Sequence, residues 1–160
     1  RGSKTEKKTR KMKVTIPAGI DNGMGLTLSA QGNTGINGGK NGDIHILVEV
    51  IPDDFFKRDH HDLHCKVPIN IYQAIIGDEI EITSLDEKKI KVFINPNSQN
   101  GTVLKIEGQG IPVIGNNHRG DLYISLEVRI PENISKEEYD LINKLKESHN
   151  DNKSPTLIKL

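Results

Sequence analysis

The sequence predicts a mainly β fold built from two tandem β-sandwich-like repeats, the first of them incomplete, with short helices and a further helix near the C-terminus. Three observations carry this expectation. Apolar and polar residues alternate with period two along most of the chain, the mark of strands with one buried face. A shift of 78 positions lays residues 14–50 on 92–128 with 13 identities and no gap. The lead-ins to the two copies differ: residues 62–91 supply further strand and helix before Val92, whereas only a charged stub precedes Val14.

Taken in order, Lys13–Ile16 alternates and should open the first copy. Leu26 and Leu28 belong to the next strand, and Ile44–Val50 to the third. The second copy repeats the plan with Lys89–Ile94, Val103–Ile106 and Leu122–Ile130, preceded by the alternating stretch Glu79–Ile82. Asn22-Gly23 and Asn100-Gly101 supply tight turns between the first two strands of each unit. The long loop that follows opens on Gln-Gly (31–32, 109–110) and closes on Gly-Asp (42–43, 120–121). The remaining identities fall on Val14, Ile16, Leu26, Ile36, Ile46, Glu49 and Val50 and their partners 78 residues on. A short helix is expected around Ile71–Ile76, stopped by Gly77. A second begins at Ser135, where Ser135-Lys-Glu-Glu138 has the form of a capping box, and its Tyr139, Ile142 and Leu145 share a face. If both copies need the same complement, the first lacks its opening half, and the sequence reads as a piece cut inside a domain.

Composition narrows the function. The 160 residues fit one ordinary domain or two small ones, and 22 basic against 22 acidic residues give no net charge, which argues against nucleic acid as the main partner. The basic cluster Lys7, Lys8, Arg10, Lys11 and Lys13 reads as a solvated tail or strand edge, with an anionic-surface patch as the alternative. No apolar run approaches the roughly 18 residues of a membrane span. One cysteine, Cys65, excludes an internal disulfide and suits a reducing compartment.

Two stretches invite a chemical reading. "GNTGINGGKNGD" (32–43) has the glycines and lysine of a phosphate loop, but Gly39-Lys40 would need a glycine at position 34, which is Thr34. Asn41 follows where Ser or Thr is required, and a strand follows where a helix is required. Apart from Ile36, the second copy keeps only the two ends of this loop, where glycine permits special backbone angles. In "DHHDLHC" (59–65), His60, His61 and Cys65 are residue types that bind zinc. His64 and Cys65, however, are adjacent in an alternating stretch and point to opposite faces, while His60 and His61 sit in a turn. No nucleophile–base or paired-carboxylate constellation is present, so an enzyme is not expected. What remains is apolar. Met12, Val14 and Ile16, then Leu26 and Leu28, then Ile44, Ile46 and Val48 each present one apolar face. Most such faces are core, but in an incomplete unit part of this one should be open. An open apolar groove beside a free strand edge is how β-sheet proteins capture extended peptides.

The segments "VTIPAGIDNGMGLTLSAQGNTGINGGKNGDIHILVEV", "FFKRDHHDLHCKVPINIYQAIIGDEIEI", "GTVLKIEGQGIP" and "RGDLYISLEVRIPENIS" together resemble the C-terminal region of a type I DnaJ-type co-chaperone, bacterial or organellar in character, over about residues 2–147. The resemblance implies the remainder of a first C-terminal domain at 1–54, a second at 55–131, and a dimerisation helix with its tail at 132–160. In type I members a cysteine-rich zinc region is inserted in the first domain, and "RGSKTEKK" is similar to its end. Zinc is therefore expected upstream and no cofactor within these residues. No His-Pro-Asp tripeptide of a J-domain occurs.

The family's peptide groove, carried over by motif, falls on Met12, Val14, Leu28, Ile44 and Ile46, and its dimer contact on Tyr139, Ile142 and Leu145. The implied partners are non-native polypeptides, a DnaK-type ATPase chaperone and a second copy of the chain, with neither nucleic acid nor membrane. The implied compartment is the bacterial cytoplasm or an organelle matrix, with the eukaryotic cytosol as alternative. A scaffold that dimerises without touching clients is the rival function. One departure stands out: the family has glycine where this chain has His60, so a turn needing positive φ would be strained there.

Overall fold

The computed structural model describes residues 6–35, 39–149 and 153–160. Residues 1–5 of the lead-in and Ile36 of the repeat lie outside them. The first repeat contains β1 (Gly25–Leu28) and β2 (Ile44–Leu47), an antiparallel pair. The second contains β3 (Lys57–Asp59), β4 (Asp62–Asn70), α1 (Ile71–Ile76), β5 (Asp78–Thr83), β6 (Lys89–Ile94), β7 (Val103–Ile106) and β8 (Leu122–Arg129), followed by α2 (Lys136–Ser148). The mainly β expectation holds.

Strands β3, β4, β8 and β7 form one sheet in that order, with β4 and β8 parallel from Leu63 opposite Leu122 to Asn70 opposite Arg129. Hairpin β5–β6 lies over it as a second layer. Leu63, Ile69, Leu122, Ile124 and Leu126 from the sheet meet Val92 and Ile94 of β6 in a closed core, and Ile80, Ile82 and Ile90 of the hairpin pack against it. The alternation read from the sequence is this inside–outside alternation.

The helices form for local reasons. In α1 the Asn70 side chain accepts from the Gln73 amide at 2.8 Å and the Gln73 side chain accepts from the Asn70 amide at 3.0 Å, a reciprocal cap that the sequence reading did not single out. Gly77, at φ 85°, ends the helix against Ile94, whose carbonyl would lie 2.7 Å from any Cβ placed there. At α2 only half of the expected box forms: the Ser135 hydroxyl accepts from the Glu138 amide at 3.1 Å.

The two copies share a hydrogen-bond frame. Gly23 donates to the Val48 carbonyl and Gly101 to that of Leu126, both at 2.8 Å. The Asn22 side chain accepts from Val50 and that of Asn100 from Val128. Across the long loop Gly32 donates to Gly42 at 2.7 Å and Gly110 to Gly120 at 2.8 Å. The Asp43 carboxylate accepts from Ala30 at 2.9 Å and that of Asp121 from Gly108 at 3.0 Å. Strands β1 and β2 match β7 and β8 residue for residue in register. The Gly/Lys-rich loop is thus a connector clamped at both ends.

One expectation needs correcting. Lys13–Ile16 joins no ladder among the described residues. Its counterpart β6 is held by β5, with Glu79 opposite Phe93 and Glu81 opposite Lys91, and no described strand of the first repeat takes that place. Two other strands end early: the β2 ladder closes at Leu47 rather than Val50, and β8 stops at Arg129, opposite the last residue of β4.

Candidate functional site

Cross-strand pairing in the first repeat sets Leu26 directly opposite Ile46, and Leu28 opposite Ile44. Facing pairs of this kind have Cβ atoms about 5 Å apart, so the four side chains form one apolar surface. All four are half-buried, as are Val14 and Val48. The same positions in the second repeat are far more enclosed: Leu122, Ile124 and Leu126, the counterparts of Ile44, Ile46 and Val48, are at most 1% exposed. Ile94 is 3% exposed, and its counterpart Ile16 is 60% exposed.

The segment before Ile16 is tied to the loop that follows β1. Arg10 reaches the Gln31 side chain at 2.6 Å and its carbonyl at 3.1 Å, just past the end of β1, and touches Met12 Sδ at 3.4 Å. Further on, the Pro17 carbonyl accepts from Ile20, ahead of the start of β1. These bonds tie the segment to the two ends of the β1 hairpin strand without placing it in the β1–β2 ladder. Of the sequence-derived groove residues, Leu28, Ile44 and Ile46 come together with Leu26, which completes the surface. Val14 lies half-buried in the flanking segment, and Met12 lies exposed at its Gln31 end. Lys11 and Lys13 stand 78 positions before Lys89 and Lys91, which form cross-strand ion pairs with Glu81 and Glu79 at 3.4 and 3.7 Å. Among the described residues, no carboxylate lies within 4.0 Å of the Lys11 or Lys13 ammonium groups.

Helix α2 buries no residue. Tyr139 and Leu145 are more than half exposed, Ile142 is half-buried, and Leu141, which the sequence reading did not select, is also exposed.

The turn joining β3 and β4 holds His60 at φ 55°, the left-handed conformation that glycine adopts without cost. His61 Nδ1 is buried without a partner, and the His61 carbonyl accepts from Ile111 at 2.7 Å. Cys65 packs against the core, and burial pushes its thiol above the usual range, which opposes nucleophilic use. Neighbouring His64 faces outward and stacks on Tyr123 with centroids 5.1 Å apart. Among the described residues, no group of three or more His, Cys, Asp or Glu side chains is placed to hold a metal ion, and none of the helices is long and apolar enough to cross a membrane.

A groove of about 840 Å³ that the sequence did not announce runs between the repeats, lined by Val50, Ile51, Phe56, Leu85 and Ile111 among others. Arg58 bridges it, donating to the carbonyls of Ile20 at 2.6 Å and Gly19 at 2.9 Å. The Asp53 carboxylate, which accepts from the Phe55 and Phe56 amides, is held below its ordinary pKa by those bonds. The Arg58 contacts join residues 38 and 39 positions apart in sequence, and no local motif announces them.

Comparison with known proteins gives a consistent picture. The family model described as "DnaJ C terminal domain" matches residues 2–131. A protein from Treponema denticola named "Chaperone protein DnaJ" is 41% identical over 155 residues, covering 97% of this chain and 41% of the relative. Proteins of the same name from Bartonella quintana and Caldicellulosiruptor saccharolyticus are 38% and 40% identical, over 96% and 88% of this chain. The chain spans about two-fifths of the length of the curated relatives it matches.

Proposed function

The chain belongs to the DnaJ C-terminal domain family, and from that premise we propose that it binds exposed apolar segments of non-native polypeptides, dimerises through α2, and delivers its clients to a DnaK-type ATPase in a bacterial cytoplasm or organelle matrix. The division into 1–54, 55–131 and 132–160 is part of this reading.

The observation that carries it is the apolar array itself: Leu26, Leu28, Ile44 and Ile46 share one half-buried face of the β1–β2 pair, and among the described residues no third strand joins that pair. An extended client lies along an edge of that pair, pairs its backbone with the strand, and sets alternate side chains against Leu26, Leu28, Ile44 and Ile46, with Val14 and Met12 at the flank. Each apolar side chain so buried contributes about 1.5–3 kcal/mol before the cost of ordering the peptide, so binding is weak and reversible. Two tethered sites in a dimer raise the effective concentration for the second contact. No bond is made or broken. The zinc that the resemblance places upstream has no ligand set among the described residues, and nothing in this mechanism runs through it.

Peptide binding by Met12→Ser and Ile46→Ser variants tests the site. Each should weaken the affinity for a short apolar peptide several-fold, and unchanged affinity in both would leave only the scaffold function. Sedimentation tests the dimer: a monomer at micromolar concentration would contradict it.

A further inference from the structure

One side chain carries the polar contact between the two repeats. Arg58 of β3 donates from Nη1 to the Ile20 carbonyl at 2.6 Å and from Nη2 to that of Gly19 at 2.9 Å. Its Nε donates to the His60 carbonyl of its own turn at 2.7 Å and lies 3.8 Å from the Asp21 carboxylate. The side chain is only 19% exposed. Among the described residues, the hydrogen bonds that cross from residues 6–50 to residues 57–149 all come from this guanidinium. Beside it the repeats touch by fit alone: a Cβ on Gly19 would fall 1.9 Å from the Pro112 carbonyl oxygen. Pro112 is itself held in place, since neighbouring Ile111 donates to the His61 carbonyl at 2.7 Å.

The chain crosses between the repeats at a narrow point. On the first side the Asn22 side chain accepts from the Val50 amide at 3.1 Å; on the second the Asp53 carboxylate accepts from the Phe55 and Phe56 amides at 2.9 Å each. Ile51 and Pro52 stand between these anchors, and Ile51 is 87% exposed. The Pro52 ring fixes its own φ, so few torsions remain about which one repeat can turn against the other. Ile51, Pro52 and Asp53 line the groove of about 840 Å³ together with Gly19, Arg58 and Pro112. A short hinge and a single polar clamp thus bound one space.

We propose that Arg58 is a positioning residue for client capture. Its planar fork sets the angle between the repeats about the Ile51–Pro52 hinge. It thereby sets the direction in which the face of Leu26, Leu28, Ile44 and Ile46 is presented to a client. Lysine cannot take its place, because a single ammonium lacks the rigid fork that meets two neighbouring carbonyls at once. The consequence for clients rests on the peptide-binding and dimer readings above; the consequence for the angle does not.

Spin labels at Thr27→Cys and Lys66→Cys, exposed positions in the first and second repeats, report the distance between them. The background is Cys65→Ser, and excess unlabelled chain keeps the measured pairs within one molecule. With Arg58 present, pulsed electron resonance should give one narrow distance peak. Arg58→Met and Arg58→Lys should each at least double its width while the far-ultraviolet circular dichroism stays unchanged. Function is read with an eight-residue apolar peptide, alone and as two copies joined by Gly/Ser linkers of graded length. The single peptide should bind both variants within two-fold of wild type, because the Arg58 bonds go to Gly19, Ile20 and His60 and to none of the four face residues. The tandem peptide should bind wild type best at one linker length, and both variants should lose that optimum with affinity several-fold lower there. An unchanged peak width in Arg58→Met, a wild-type width in Arg58→Lys, or a linker optimum that survives in both variants overturns the inference. A wild-type chain that fails to bind the single peptide, or gains nothing from the tandem, counts instead against the readings above, and the spin-label distances still judge Arg58.

Discussion

Ile46 and Ile124 occupy the same place in the two copies, and truncating each to alanine should have unequal consequences. Ile124 has 0% exposure and sits between Leu63, Leu122, Leu126 and Val92 in the closed core. Removing three carbons there forfeits about 2.4 kcal/mol of transfer free energy at about 0.8 kcal/mol each. A residual cavity of about 50 Å³ adds about 1.2 kcal/mol at 24 cal/mol per Å³. The expected cost is about 3.6 kcal/mol. Ile46 is half-buried on an open face, so less transfer energy is lost and no closed cavity remains; about 1.5 kcal/mol is expected. Urea titrations followed by circular dichroism measure both, since the chain has no tryptophan to report by fluorescence. A gap of about 2 kcal/mol, with peptide affinity lost only in Ile46→Ala, is the expected result. Equal costs within about 0.5 kcal/mol, the scatter expected of independent sites, would refute the reasoning, because the first face would then be as closed as the second.

Three further outcomes follow from the structure. His60→Gly should stabilise the chain by about 1 kcal/mol, since a left-handed non-glycine residue costs about 1–2 kcal/mol and glycine returns part of that as unfolded-state entropy; the denaturation midpoint reads it. Gly120→Ala should cost more than about 3 kcal/mol, because its Cβ would fall 1.8 Å from the His61 carbonyl oxygen, whereas Gly23→Ala, with open space around it at φ 82°, should cost only about 1 kcal/mol. Thermal melts of the pair compare them directly. Cys65 should react with iodoacetamide more slowly than a free thiol at pH 8, because burial raises its pKa and leaves less thiolate, and urea should abolish the difference.

Much of the fold was legible because it depends on local periodicity. Lys89–Ile94 and Val103–Ile106 coincide with β6 and β7, and Ile71–Ile76 with α1, since each pattern is satisfied by partners that the chain itself supplies. Lys13–Ile16 carries an equally clear alternation and joins no ladder, since pairing depends on a neighbouring strand and not on the segment's own residues. The strain at His60 was visible in the sequence as a side chain where the family has glycine. The Arg58 bridge between the repeats and the exposed face of α1 were not, because they depend on which residues meet across the fold.

The pattern of identity between the copies shows what holds their common frame. Asn22, Gly23, Gly32, Gly42 and Asp43 are kept at Asn100, Gly101, Gly110, Gly120 and Asp121, and every one of them holds or permits a backbone hydrogen bond or a special angle that recurs in both copies. These bonds fix the turn and the long loop, and through them the register of β1 on β2 and of β7 on β8, because shifting a strand by one residue would turn its apolar side chains to the wrong face. The register that sets Leu26, Leu28, Ile44 and Ile46 on one face of the β1–β2 pair is therefore held by the same turn and loop bonds that set Leu104, Ile106, Leu122 and Ile124 on one face of β7–β8.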